Sequence, residues 1–394
     1  LGLLAILALI GCEASTNSVP AFDGGAPDST TLDADLPPMP DASTDASTDA
    51  GVDAQPPRPE GVAPANLVPD ATAEVPSLET ALAPGESRLV RVEVGASEHV
   101  GFGLFFDPSD ADVVMYVDRF DGTGESELGL TDGGPGVRFL AVFEPEGART
   151  HWVRIEAGAD AFTGTLSIVH TPFEDGAHCL DDCDHLLQLP LPRDPAVDGY
   201  RWIPSTVLRY WFGRRDLLMM LRHAGQTMSA LGHEPFEPGD LSQWDGETPG
   251  TDRGAPRHAS HQRGKDVDIT LYGDDGRAFW RSYCDTFAAS GGRECLAGTA
   301  HGLDGETDAI LYGAMLESGR VTMSFLDREL IPIVSTGAET ANAAGLLPVG
   351  VLPLYTDGHH LQHWPNHDNH IHVRVSEGPY TATALSLPFA FEPP

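Results

Sequence analysis

The sequence predicts a multidomain protein: an N-terminal antiparallel β-sandwich followed by an α+β domain with a small antiparallel sheet. Three observations carry that expectation. Residues 65–172 alternate short apolar or β-branched runs with Gly, Asp and Pro turns. From residue 173 to the end at residue 394, helical stripes mix with isolated strand patterns, without the βαβ rhythm of a parallel sheet. Ahead of both, residues 13–62 are rich in Asp, Ser, Thr, Ala and Pro and almost free of large apolar side chains. Such a composition cannot bury a core and reads as a disordered tether. What remains without residues 1–62 is long enough for two domains with cores of their own.

The chain opens on "LGLLAILALIGCEAS", whose apolar run is shorter than the roughly 20 residues a membrane-spanning helix needs. Closing on Leu9, Ile10, Gly11 and Cys12, the run resembles the end of a bacterial lipoprotein signal. The resemblance implies cleavage before Cys12, lipid on its sulfur, and a Glu13 compatible with outer-membrane sorting. An initiating Met and a positive flank are missing, so residues 1–12 are expected to be a signal remnant. Membrane contact is expected only through that lipid, in the periplasm or at the outer membrane. The tether of residues 13–62 has an average span on the order of 40 Å and a stretched reach of about 150 Å, enough to let the rest search around its anchor. It carries ten acids and one Arg, and the whole chain has a formal net charge of -36. Nucleic acid and anionic membrane surfaces are poor partners for such a chain.

Five cysteines are present, and lipidation of Cys12 leaves four. Cys179 and Cys183 are close in sequence, as are Cys284 and Cys295, so two local disulfides in an oxidising compartment account for them. A cysteine-rich zinc knuckle fits less well, because no CxxC occurs.

In residues 65–172 the strand candidates are "SRLVRVEVG", "HVGFGLFF", "DVVMYVDRF", "VRFLAVFEP", "THWVRIEAG" and "TGTLSIVH". Val90, Val92 and Val94 share one face and Arg91 and Glu93 the other, with Leu89 out of frame. The region resembles the small sandwich domains attached to secreted bacterial peptidases. Nothing in it reads as catalytic; "DPSDADVV" is either a solvated acidic turn or a calcium loop. Beyond residue 173, "RRDLLMMLRHAGQTMSALG" places Leu217, Leu221, Ala224, Met228 and Leu231 on one helical stripe stopped by Gly232, its Met residues reading as core. A second helix is expected over "DAILYGAMLESG" and a strand at "RVTMSFLD".

Two stretches carry chemistry: "RHASHQRGKDVDITLY" and "HWPNHDNHIHVRV". In the first, Asp266, Asp268 and Thr270 point one way and Val267, Ile269 and Leu271 the other, as on a half-buried strand. In the second, His370, His372 and Arg374 share a face opposite Ile371, Val373 and Val375. If the two strands are neighbours in one sheet, an Asp and a His meet on its polar face. His261, seven residues before Asp268, can fold back across a turn at Gly264. Three mixed N and O ligands with an open fourth position are what a catalytic zinc requires.

"HASHQRGKDVDI" with "HDNHIHVR" resembles the penicillin-insensitive murein endopeptidases, within the wider group of lysostaphin-like and D-Ala-D-Ala metallopeptidases. His261, Asp268, His370 and His372 meet the group's short pattern of His, six residues, Asp, and a later His-x-His. His258, Ser260, Gly264, Asp266, His367 and Arg374 lengthen the match to the endopeptidase branch. The likeness leaves the tether and sandwich outside it. It implies a zinc peptidase with one Zn2+ per chain, acting on peptidoglycan stem peptides or their cross-links in the cell envelope. By the resemblance, His261, Asp268 and His372 are the zinc ligands and His258 an outer or conditional one. His370 is the general base or oxyanion-stabilising group, with His367 second in line. Asp266 orients a ligand His, and Arg374 receives a substrate carboxylate or supports the ligands from outside. In the carboxypeptidase branch the base resembles a Glu three residues before the last His ligand; Asn369 stands there and cannot take that proton.

Single histidines on strands are more often plain hydrogen-bonding groups, and His359, His360 and His363 are read that way. Alternatives keep the metal and change its use: a D-Ala-D-Ala carboxypeptidase, or a non-catalytic lipoprotein that binds peptidoglycan or buffers zinc. Oligomeric state and the bond cleaved are left open by the sequence.

Overall fold

A computed structural model describes residues 65–67, 77–94, 98–120, 125–130, 135–144, 149–172, 186–192, 194–202, 207–288 and 292–376. Cys12, Cys179, Cys183 and residues 13–62 lie outside them. Those described form a β-rich, multi-sheet protein, mostly antiparallel, with few helices.

The N-terminal half holds two sheets. One runs, in spatial order, Ala65–Leu67, Ser87–Val94, Arg149–Ala157, Val113–Phe120 and Glu125–Leu130, antiparallel except for its first pair. The other runs Ser77–Leu82, Phe162–Pro172, Glu98–Asp107 and Val137–Glu144, antiparallel throughout. Each of the six quoted runs became a strand, because alternation puts every second side chain in the core. Val90, Val92, Met115, Val117, Val153 and Ile155 line the inner face of the first sheet, and Val100, Phe102, Leu104, Leu166 and Ile168 that of the second, all fully buried. The rings of Phe102 and His151 meet between the sheets at 5.5 Å. Burying side chains of this size stabilises by about 1.5–3 kcal/mol each. Leu89 is buried despite being out of frame, on the opposite face from Val90.

Phe139, on the other face of the second sheet, packs edge-on against Phe212 at 5.3 Å and near Trp244 at 5.8 Å. The Leu191 amide donates to the Ala141 carbonyl at 3.0 Å, so the chain leaves the edge of this sheet already tied to it. One apolar core is continuous through both halves.

In the C-terminal half, a four-stranded sheet runs Asp266–Thr270, His370–Val375, Val321–Leu326 and Leu361–His363, with only the last pair parallel. Helix Arg215–Ala230 buries Leu217, Leu221, Ala224, Met219, Met220 and Met228. Leu231 departs from the expected stripe: it lies past the helix end and is exposed, the turn at Gly232 carrying it out of the core. The second helix spans Gly305–Leu316, starting earlier than expected because the Asp304 side chain caps it, accepting from the Thr307 amide at 3.1 Å. A further helix, Ile331–Ala343, gave no signal in the sequence; its opening Ile, Val and Thr residues suit a strand equally well. No helix among the described residues is long and apolar enough to cross a membrane.

Candidate metal centre

The site begins with a strand pair. Asp266–Thr270 and His370–Val375 are antiparallel, in a register that sets Asp266 opposite Arg374, Asp268 opposite His372 and Thr270 opposite His370. Val267, Ile269, Ile371 and Val373 fill the apolar face. The polar face is buried as well: Asp266 and Thr270 are 0% exposed, Asp268 5% and His372 3%. Buried charge survives only if its neighbours answer it.

His261 closes the group from a tight loop. His261 and Arg263 both hold positive φ, at 63° and 60°, uncommon for residues with side chains. Gly264 follows at φ 62°, and a Cβ there would stand 2.6 Å from the Arg214 amide nitrogen. Only glycine fits that turn. The loop folds His261 back under the strand pair, where it is 1% exposed. Its Nδ1–H donates to the Leu241 carbonyl at 3.0 Å, leaving Nε2 with a free lone pair.

Three donor atoms then meet. His261 Nε2 lies 3.1 Å from His372 Nδ1 and 3.2 Å from Asp268 Oδ1, and His372 Nδ1 lies 3.0 Å from Asp268 Oδ1. A tetrahedral zinc with bonds of about 2.0–2.2 Å keeps its donors roughly 3.3 Å apart, so this triangle fits the ion with little adjustment. Burial opposes charge on His372, yet the carboxylates of Asp266 and Asp268 raise its pKa to about 9. The pocket thus draws positive charge to Nδ1. A dication displacing that proton would face three lone pairs, two N and one O.

The support around the triangle is specific. The His372 Nε2–H donates to Asp266 Oδ1 at 3.0 Å, and the Asp266 Oδ2 accepts from the His261 amide at 3.1 Å, so one carboxylate aims both histidines. Burial pushes Asp266 upward, but hydrogen bonds from His372 and Arg374 hold it well below the usual carboxylate range. For Asp268 burial is likewise overcome, by the facing imidazoles of His261 and His370. Of the two parts expected of Arg374, its contacts are those of the supporting one: its Nε and Nη2 donate to the two oxygens of Asp266 at 2.6 and 3.0 Å. Its guanidinium fork is directed at an internal carboxylate, which leaves it the supporting role.

His258 stands one step out. Its Nδ1 is 3.8 Å from Asp268 Oδ2, and its Nε2 lies 3.1 Å from Asp240 Oδ2. His258, His261 and Asp268 also bring donor atoms within 4.8 Å of one another, an alternative set sharing two residues with the triangle. The set with His372 is tighter and more buried, so His258 fits best as an additional ligand. The other gathering, Cys284, Cys295 and Asp327, is no metal site, because Cys284 and Cys295 are joined in a disulfide.

Two imidazoles border the triangle. The His370 Nδ1–H donates to Asn369 Oδ1 at 2.6 Å, and its Nε2 stands 3.6 Å from Asp268 Oδ1. Burial lowers its pKa to about 3, against the pull of Asp268. The His367 Nδ1–H donates to the Pro365 carbonyl at 2.8 Å, and burial lowers its pKa too. The two rings are 4.7 Å apart, each with Nδ1 occupied and the Nε2 lone pair left over, while burial works against a lasting charge on either. Phe325 lies 5.5 Å from the His372 ring and 5.7 Å from His367; Trp280 lies 5.5 Å from His370. Trp280, Phe325, Asp240 and the acceptor part of Asn369 toward His370 were not singled out in the sequence, where nothing in their spacing links them to the motif. His360 pairs with Asp357 at 2.6 Å, and His363 accepts from the Arg328 amide at 2.9 Å, so both serve local structure; the His359 amide does the same with Asp357 at 2.7 Å.

No known family model matches the chain, and no curated protein matches it. Among solved structures it is similar to the pre-peptidase C-terminal domain of a collagenase from Bacillus anthracis, at TM-score 0.22 and 9% identity over 28% of this chain and 97% of that one. It is also similar to a mitogen from Yersinia pseudotuberculosis, at TM-score 0.21 and 12% identity over 26% of this chain and 88% of that one. A third is PliG of Aeromonas hydrophila, a periplasmic inhibitor of g-type lysozyme, at TM-score 0.19 and 11% identity over 28% and 100% of the two chains. Likenesses this slight assign neither a family nor an activity.

Proposed function

We infer that the protein is a zinc-dependent murein endopeptidase: a lipid-anchored enzyme of the periplasm or outer membrane, with a β-sandwich accessory domain ahead of its peptidase domain. The observation that supports it is the near-equilateral triangle of His261 Nε2, Asp268 Oδ1 and His372 Nδ1, bordered by two imidazoles with unprotonated Nε2 atoms. His261, Asp268 and His372 would hold the zinc, with His258 beside them. When bound, the ion supplies Lewis acidity and eases ionisation of water at neutral pH. His370 Nε2 accepts the proton of the attacking water, its ring held by Asn369. The proton that His370 takes then goes to the leaving amine, and His367, its ring 4.7 Å from that of His370, is second in line for the same role. Asp266 and Arg374 keep the ligand rings aimed while this occurs.

The absence of a carboxylate at Asn369 favours the endopeptidase branch over terminal D-Ala trimming. The test is digestion of purified cross-linked peptidoglycan and of an uncross-linked pentapeptide, with and without chelator, reading new termini by mass. Release of monomeric muropeptides, abolished by chelator, is expected. Faster loss of terminal D-Ala would move the protein to the carboxypeptidase branch. Several weakly held zinc ions and no cleavage would make it a zinc-binding lipoprotein.

A further inference from the structure

Residues 282–288 and 292–295 are fastened to the turn that carries His367 and His370, and the Cys284–Cys295 disulfide joins them, with Cα atoms 5.7 Å apart. The Arg293 amide donates to Asn366 Oδ1 at 2.7 Å and the Asn366 amide returns a bond to the Arg293 carbonyl at 2.6 Å, directly before His367. Asp368, between the two histidines and 2% exposed, binds the Ser282 hydroxyl and accepts from Arg293 Nε at 3.1 Å. The Arg293 guanidinium also lies over the Phe287 ring, 4.2 Å from its centroid.

Arg293 is therefore held on one edge by a buried carboxylate and on one face by an aromatic ring. Its side chain is still 51% exposed, and among the described residues its Nη groups meet no acceptor. An arginine fixed in this way has already lost most of its rotamer freedom, and its open Nη edge matches a carboxylate's two oxygens. In a chain of net charge -36, a cation fastened to the turn that carries His367 and His370 is a feature that would draw an anionic group to that turn; Arg257, the cation on the His258 side, is set 3.3 Å from Asp240. The other cation on the strand pair, Arg374, is directed at Asp266.

We propose that Arg293 is the carboxylate-receiving residue of the substrate site, binding a free side-chain carboxylate of the stem peptide beside His367 and His370. The inference rests on the endopeptidase reading for its substrate class. Its test uses the full zinc-loaded chain and two soluble, uncross-linked stem tetrapeptides, one with free side-chain carboxylates and one amidated there. Binding is measured by calorimetry for the wild type, Arg293→Ala and Arg293→Lys. The wild type is expected to favour the free carboxylate by about tenfold or more, the scale of a charge-assisted pair, and Arg293→Ala to bind both peptides alike. Arg293→Lys, which keeps the charge without the fork, should retain part of the preference. A merely structural role for Arg293 would weaken both peptides equally and so overturn the inference. A preference surviving in Arg293→Ala, or a wild type that distinguishes neither peptide, would also overturn it. Cleavage of cross-linked dimers is scored separately: a preference lost with Arg293 in a protein that cuts nothing leaves this inference standing and removes the endopeptidase reading.

Discussion

Two antiparallel strand pairs in this protein share a pattern and differ in what surrounds them. In Ser87–Val94 with Arg149–Ala157, the face of Val90, Val92, Val153 and Ile155 is buried with His151 among them, while on the other Arg91, Trp152 and Glu156 remain half-exposed beside buried Leu89 and Arg154. In Asp266–Thr270 with His370–Val375, the apolar face is just as buried, but Asp266, Asp268 and His372 are buried too. Alternation alone makes an amphipathic strand. A polar face taken out of water must satisfy itself, and here it does so by converging two imidazoles and a carboxylate on one point. The first pair can spend its residues on stability, and the second holds chemistry at a cost in desolvation.

That contrast can be broken from either side. Ile155→Ala, in the first pair, should cost about 2–5 kcal/mol of stability, read by denaturant unfolding, with metal content unchanged. Metal loss in that variant would show that the two regions are coupled. On the other side, His370→Ala should keep its zinc yet lose turnover on the order of a hundredfold, because the proton acceptor goes while the triangle stays. Unaltered turnover would pass the role to His367. Asp266→Asn should weaken metal binding by about 10–100-fold, measured by competition with a chelator, since the aim of both ligand histidines loosens. An affinity within twofold of wild type would remove Asp266 from the account.

The smallest effect compares two buried carboxylates. Asp268 lies among imidazoles that hold its pKa down, whereas burial pushes Asp308 well above the usual carboxylate range, with only the Tyr272 amide opposing. Asp308 Oδ1 accepts from that amide at 2.8 Å, and Oδ2 has no hydrogen-bond partner among the described residues. A raised folded-state pKa gives stability that is full below the unfolded value of about 4 and is lost as pH rises through the folded value. Asp308→Asn should therefore flatten the fall in Tm between acidic and alkaline pH. A variant whose Tm tracks the wild type across that range would show Asp308 to be no seat of pH dependence.

The strand pair was readable because period two is local: "KDVDITLY" and "NHIHVRV" declare their faces without knowledge of the fold. That a polar face would meet a polar face was readable as well, but the register, Asp268 against His372, was not, because a shift by two residues keeps the faces matched. Which of its two expected parts Arg374 takes was out of reach for the same reason that Asp240 and Trp280 were missed. Each owes its role to a partner distant in sequence, Asp266 across the sheet, His258 and His370 respectively, and no periodicity encodes such meetings. The Ile331–Ala343 helix was silent because its β-branched start carries no helical preference; packing of Val334, Ala338 and Ala341 into the core decides it.

The central claim is that one metal ion is held by His261, Asp268 and His372. It is tested most directly by metal analysis of the purified protein and of Asp268→Asn, after dialysis against zinc and removal of excess. The account predicts one tightly held zinc per wild-type chain and none surviving dialysis in the variant, because Asp268 belongs to both candidate ligand sets, with His372 and with His258, and the amide that replaces it carries no charge to hold the ion. An equal zinc content in both proteins would contradict it.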